Sequence, residues 1–294
     1  MAMTEEQVRI LDKVHQINFD LLEALDTIAK RHDIPYFLAY GGLLGAIRHH
    51  DFIPWDNDVD VQITRADLDR LIPFLRAELD PEKYEVLMPE DYGEGHYLDM
   101  VPRIMYKKAM VNVFPEAYNE YYQYKSCRIV LDFFLLDKFP DTFSANMTLT
   151  RLKFIYGLLL GKRYNASRDM STPWPNGVYR FAAGILRVLG KLCNTRRLMN
   201  KTNRLARKYE NAPADTRLVV TNDTLSTFKK FFPAEVYAGT TEVPIRDRTF
   251  PGPKDPDKAL RIMYGDYMEL PPEEERIPHV FNLMMSADTF TFEG

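Results

Sequence analysis

From residue 5 to residue 31, apolar residues return every three or four positions: Val8, Leu11, Val14, Leu21, Leu25 and Ile28, with Asn18 in the same row. This spacing predicts one long amphipathic helix, with Thr4 placed to cap it and glutamates in its first turn. Pro35 lies just past its end. YFLAY (36–40) predicts a short strand, Gly41 and Gly42 punctuate it, and LLGAIRH (43–49) predicts a short helix. The pattern then changes period. DVDVQI (58–63) alternates polar and apolar residues as a half-buried strand does, and RADLDRLIPFLRAEL (65–79) returns to helical spacing. YEVLM (84–88), YLDMVPRIMY (97–106) and MVNVF (110–114) predict strands. CRIVLDFFLLD (127–137) predicts a buried strand with one acid, Asp132, in its middle. Helices are predicted over 145–163, 177–192, 196–210 and 255–264, the last within a C-terminal third of short strands and Pro-rich loops. A mixed helix-and-strand core therefore comes first and a helical part follows, with the boundary near 140–145. No repeats and no low-complexity tract interrupt the chain.

Charge sharpens this division. Residues 151–209 carry fourteen Lys and Arg against one acid, Asp169, although the whole chain of 294 residues has a net charge of −4. Within the segment, RLKFIYGLLLGKRY and VYRFAAGILRVLGKLC mix apolar runs with basic residues. Such helices suit the interface of an anionic membrane or an anionic acceptor. The plainer alternative is a helical subdomain whose solvated face is basic. No nucleic-acid recognition motif accompanies the charge, so no nucleic-acid partner is expected.

Composition adds bounds. At 46% hydrophobic and 27% charged, the chain is ordinary for a globular protein. Cys127 and Cys193 sit in no CxxC or Cys/His cluster, which argues against structural zinc and a disulfide framework and fits a reducing compartment. The first residues contain no apolar signal core and no run reaches spanning length. A cytoplasmic location is expected, with contact at the inner membrane face through residues 151–209.

Candidate chemistry concentrates in GGLLGAIRHHDFIPWDNDVDVQI (41–63). In an extended strand, residues two apart share a face, so Asp58 and Asp60 project together while Val59, Val61 and Ile63 face the core. Asp56 joins them if the chain stays extended. Paired carboxylates make a hard-oxygen site suited to magnesium or manganese. A calcium loop of EF-hand type is the competing reading. It is disfavoured because the position needing glycine is Val61, and a polar strand end without metal is the plainest one. Gly41 and Gly42 open a helix where backbone N–H groups can meet a phosphate, and Arg48 supplies a guanidinium. Together these are the parts that phosphoryl transfer needs. Asp132 is the candidate third carboxylate, since an acid among Ile129, Val130, Leu131, Phe133, Phe134 and Leu135 needs a cation nearby. The alternative is a buried pair with Arg103.

YGGLLGAIRHHDFIPWDNDVDV resembles the signature of the LicD family, G-T/S-L-L-G-A-x-R-H-x-G-F-I-P-W-D-D-D-I-D. VLDFFLLD (130–137) and YGDYMELPPEEERIPH (264–279) are similar to two further family motifs in the same order, so the resemblance spans nearly the whole chain. It implies an α+β fold: a nucleotidyltransferase-like mixed β-sheet core flanked by helices, with the basic helical part as a subdomain. The division expected is a catalytic core over 1–142, a basic helical insertion over 143–212 and a C-terminal α/β region over 213–294 that completes the site. The resemblance also implies an enzyme that moves a phospho-alcohol, usually phosphocholine from CDP-choline, onto a cell-surface glycan of teichoic-acid or lipopolysaccharide type, releasing CMP. The donor would be a CDP-linked alcohol and the acceptor a glycan, lipid-linked in one form. Carried over by position, Asp58 and Asp60 correspond to the metal-binding pair and Asp132 to the third carboxylate, which either completes the metal site or takes the acceptor's proton. Gly41, Gly42 and Arg48 correspond to the donor-phosphate contacts and Asp56 to the leading aspartate. His49, Arg103, Tyr264, Asp266 and His279 are weaker candidates.

The sequence departs from the pattern at Asp51, at Asn57 and at PGPKD (251–255), which leaves the C-terminal acceptor contacts open. Nothing in the chain visibly reads a choline headgroup. Transfer of ethanolamine, glycerol or ribitol phosphate is therefore an alternative, as is a nucleotidyltransferase that releases pyrophosphate or a non-catalytic glycan-binding protein.

Overall fold

The computed structural model describes residues 3–93, 95–167, 177–280, 283–284 and 289–293. It opens on α1 (Glu5–Arg31), whose capping box is complete: Gln7 N–H donates to Thr4 Oγ1 at 3.2 Å and Thr4 N–H to Gln7 Oε1 at 3.0 Å. Its apolar stripe, from Leu11 to Ala29, is buried in the main core. There follow β1 (Phe37–Ala39), α2 (Tyr40–His49), β2 (Val59–Thr64), α3 (Arg65–Glu78), β3 (Tyr84–Leu87), β4 (Arg103–Val111), α4 (Glu116–Tyr121) and β5 (Arg128–Lys138). Three helices come next, α5 (Phe143–Ser167), α6 (Gly177–Leu192) and α7 (Thr195–Ala206). The C-terminal third holds β6 (Leu218–Val220), β7 (Phe231–Phe232), β8 (Thr240–Ile245), β9 (Arg248–Pro253), α8 (Pro256–Tyr264), β10 (His279–Val280), β11 (Leu283–Met284) and β12 (Phe290–Phe292).

One curled sheet organises these elements. Its order is β1-β2-β5-β4-β12, with β3 also on β4, β6 on β5 and β7 on β6. Among the described strands of this sheet only β2 and β5 pair in parallel, so the sheet is mixed and the class is α+β. The strand β5 is long enough to pair with β4 through its first half and with β6 through its second. Alternation decides which face is covered. Val59, Val61 and Ile63 of β2, with Ile129, Leu131, Phe133 and Leu135 of β5, enter the core that α1 and α3 cover. The other face, with Asp60, Arg128, Val130 and Asp132, stays half-open.

Two strand expectations need correction. YLDMVPRIMY is not a strand throughout, because β4 begins only at Arg103. Pro102 has no N–H for a ladder, and Val101 N–H turns to Asp99 Oδ1 at 2.9 Å. MVNVF is not a separate strand either: β4 runs on through Lys107 and Lys108 to Val111 across a register shift between Tyr106 and Met110.

Buried polar clamps tie the later helices and strands to this sheet. Arg65, at the start of α3, places Nε 2.7 Å from Asp137 Oδ1 and 2.9 Å from Oδ2, and its Nη2 donates to Thr221 Oγ1 at 2.9 Å. Asn222 accepts from Leu135 N–H at 2.7 Å and donates to the carbonyls of Phe133 and Met100, so it pins the loop after β6 to β5. Among the described residues, no helix is long and apolar enough to cross a membrane.

Candidate active site

Strand register builds the centre of the site. Ala39 pairs with Asp60, Asp60 with Asp132, and Asp132 with Arg103. Asp60, Asp132 and Arg103 therefore stand abreast on β2, β5 and β4, on the half-open face, with strands about 4.8 Å apart. Asp58 stands two residues before Asp60. Asp56 is held by the turn before it: its N–H donates to Ile53 O at 2.9 Å, and Asn57 N–H donates to its Oδ1 at 3.1 Å. From α1, His15 Nε2–H donates to Asp56 O at 2.8 Å, and burial lowers the His15 pKa, which keeps that ring neutral.

The acids are under electrostatic stress. Burial, then the neighbouring Asp56, holds the Asp58 carboxyl well above its usual pKa. Burial, then Asp58, Asp132, Asp56 and Asp223, does the same to Asp60. Asp132 is pushed up to about 6 by burial, against the pull of Arg103. Asp58 reaches solvent although protein and other acids surround its carboxylate; both hold for a group on the wall of an open cleft. That cleft, about 510 Å³, is lined by Asp58, Asp99, Arg103 and Asp132. Val130, Arg128, Tyr92, Phe114 and Tyr118 line it too.

The buried pair that was the alternative for Asp132 is present. Arg103 Nε donates to Asp132 Oδ1 at 2.7 Å, while Nη2 is 3.5 Å from Oδ2. Arg103 is in turn gripped by Asp99 through both Nη atoms, at 2.8 and 2.7 Å, and donates to Tyr92 Oη at 2.9 Å. Asp132 is thus charge-compensated without a metal, whereas Asp58 and Asp60 have no basic partner among the described residues.

Next to the acids lies the N-terminus of α2, which includes Gly41 and Gly42. Ala39 offers it no side-chain cap and its first turn contains no acid, so its leading N–H groups remain available to an anion. Tyr40 adopts φ +44°, with its ring edge-on to Phe134 and its hydroxyl donating to Asp223 Oδ2 at 3.2 Å. At Gly41 a Cβ would lie 2.1 Å from Asp56 Oδ2, so only glycine lets this turn lie against the acid.

Arg48 departs from expectation. It lies in the last turn of α2, about 10 Å along the axis from Gly41, and Nη1 donates to Tyr267 O at 2.9 Å while Nε donates to His49 Nε2 at 3.0 Å. It anchors the C-terminal segment rather than facing the glycines. His49 packs edge-on to Trp55. Tyr264 stands near the acids: desolvation by the surrounding protein, then the fields of Asp60, Asp56 and Asp58, raises its pKa although the residue is 46% exposed. Asp266 is exposed. His279 lies in β10, but its side chain is outside the described residues.

Three further residues belong to this neighbourhood: Tyr40, at the head of the motif stretch, and Asp99 and Asp223, which carry no motif signal. Asp99 sits in a stretch whose pattern predicts strand. Asp223 lies beyond β6 and reaches Tyr40 only through the fold.

Among the described residues, no three His, Cys, Asp or Glu side chains form a ready-made metal cage. Magnesium does not require one, since it takes one or two carboxylates and completes its shell with water and phosphate oxygens. Asp58 and Asp60, two hard-oxygen donors raised in pKa by burial and then by neighbouring acids, fit such an ion and could hold it.

Residues 33–152 match the family model described as LicD/FKTN/FKRP, nucleotidyltransferase domain. Over 264 residues the chain is 26% identical to the lipopolysaccharide cholinephosphotransferase LicD of Haemophilus influenzae, covering 88% of this chain and 92% of that protein. It is also 26% identical over 159 residues to an uncharacterized protein of Rickettsia prowazekii, covering 52% of each.

Proposed function

We propose, for a chain that carries a LicD-type nucleotidyltransferase domain over residues 33–152, a phosphotransferase that moves phosphocholine from CDP-choline onto a glycan of lipopolysaccharide or teichoic-acid type and releases CMP. The observation that carries this reading is the in-register row of Asp60, Asp132 and Arg103 beside Asp58 and the uncapped, glycine-bearing end of α2. Asp56, Asp58, Asp132 and Arg103 line one cleft that is large enough for a nucleotide-linked donor, and the Gly41 turn lies against Asp56.

In this reading, the N–H groups at Gly41 and Gly42 donate to donor phosphate oxygens, aided by the positive end of α2. A magnesium ion at Asp58 and Asp60 would supply charge neutralisation and orientation of the diphosphate. Arg103 holds Asp132 Oδ1 closely and leaves Oδ2 lightly engaged. Asp132 Oδ2 takes the proton of the acceptor hydroxyl as its oxygen bonds to the distal phosphorus. A pKa near 6 suits that role near neutral pH. The bond from that phosphorus to the CMP oxygen breaks, and CMP leaves with the electron pair. Tyr92, Phe114 and Tyr118 line the cleft beside the acids, and aromatic faces are the surfaces on which a quaternary ammonium is held.

The test incubates the protein with magnesium, each of a set of CDP-alcohols and a glycan acceptor, and follows CMP and pyrophosphate separately. CMP formed with CDP-choline, lost by about two orders of magnitude or more in Asp58→Asn, supports the reading. Pyrophosphate as product identifies a nucleotidyltransferase instead. Preference for another CDP-alcohol leaves the chemistry and replaces the donor. Turnover unchanged in Asp58→Asn removes the site assignment.

A further inference from the structure

We propose that the α6 face of the basic helical region is a docking surface for an anionic lipid bilayer, lying in the plane of the interface. On α6, Phe181, Ile185, Val188 and Leu192 fall at helical spacing on one stripe. All four are exposed, Phe181 by 73%, Val188 by 62% and Leu192 by 84%. Leu189 borders the stripe and is exposed too, as is Phe154 of α5. The opposite side of α6 is spoken for. Gly190 approaches α5 so closely that a Cβ would lie 2.6 Å from Leu158 O, and Leu186 packs against Gly157. Lys162 Nζ donates to Cys193 O at 2.6 Å and closes the end of the hairpin, while the Arg187 guanidinium lies 3.2 Å from the Tyr164 ring centroid. The helix is therefore fixed to α5 by one face and turns an exposed apolar stripe, without a packing partner among the described residues, outward.

Charge decides the occupant. The stripe sits in the segment with fourteen basic residues and one acid, in a chain that is otherwise strongly acidic. Lys191 flanks the stripe, and Arg196 and Arg197 follow at the start of α7. These three, with Lys201 and Arg204, are exposed and have no carboxylate partner among the described residues. An apolar stripe rimmed by unpaired cations matches the boundary between acyl chains and anionic headgroups. Because no described helix is both long and apolar enough to cross a bilayer, the contact proposed is peripheral. This inference does not depend on which group the active site transfers.

The experiment is co-sedimentation of the whole protein with phosphatidylcholine vesicles, with and without phosphatidylglycerol. The protein is expected to pellet with the anionic vesicles and to be released by high salt. Ile185→Glu combined with Val188→Glu should weaken binding at least tenfold without changing the melting temperature, because both side chains already face solvent. Arg196→Gln with Arg197→Gln should weaken it roughly fivefold per charge removed. A protein that stays in solution with both vesicle types overturns the proposal, as does a glutamate variant that pellets like wild type. A dimer in light scattering that the glutamate variant splits, with no vesicle binding, assigns the stripe to a second copy instead.

Discussion

Replacing Asp60 with asparagine should make the metal-free protein more stable and catalytically dead. Asp60 faces Asp132 in register on the neighbouring strand and has Asp58 beside it on the same face. At about 5 Å and an effective dielectric constant near 20, one such pair repels by roughly 3 kcal/mol. Arg103 offsets part of the Asp132 charge, and Asp60 can escape by binding a proton. At pH 7 that escape costs about 4 kcal/mol for a carboxyl of ordinary pKa, which sets a ceiling. A gain of about 1–3 kcal/mol in Asp60→Asn follows.

The pH dependence carries a definite sign. The folded-state pKa of Asp60 is raised, so the folded protein binds more protons than the unfolded chain. Stability is therefore highest below the unfolded value near 3.9 and falls as pH rises toward the folded value; for Asp132 that window closes near 6. Thermal melts in EDTA from pH 5 to 8 should show wild type losing stability with rising pH and Asp60→Asn losing less. Magnesium at about a hundred times its dissociation constant should return up to ~2.7 kcal/mol to wild type at pH 8, less at pH 5, and little to the variant. A metal-free variant that melts below wild type, or equal magnesium stabilisation of both proteins, would refute the account of mutual repulsion relieved by a cation.

Gly41→Ala should force Asp56 aside and lower turnover by about tenfold or more while the far-ultraviolet spectrum stays unchanged. Arg65→Met leaves Asp137 buried without its counter-charge, held only by the Thr221 hydroxyl, so urea denaturation should show a loss of about 3–5 kcal/mol; Arg65→Met with Asp137→Leu should recover much of it. Asn222→Ala removes two hydrogen bonds to the strand bearing Asp132 and one to Met100 O. It should cost about 2–3 kcal/mol in urea and also lower turnover, because the loop carrying Asp223 loses its tether.

Much of this protein follows from local pattern alone. Helical spacing and a cap residue define α1, alternation puts Val59, Val61 and Ile63 inward and Asp58 and Asp60 outward, and a charge count isolates the basic helices. These features depend on neighbours a few residues apart, which is the range over which periodicity acts. The partnership of residues 60, 132 and 103 is a different matter, since it requires three strands to pair in one register. That pairing placed Arg103 on Asp132 and brought in Asp99. Packing of the loop after β6 onto β5 brings Asp223, far away in sequence, to Tyr40. Arg48 stands beside Gly41 in the motif, yet the rise of α2 carries it to the other end of the helix and onto Tyr267. The chain's periodicity specified which side chains share a face; long-range packing alone decided which of them meet.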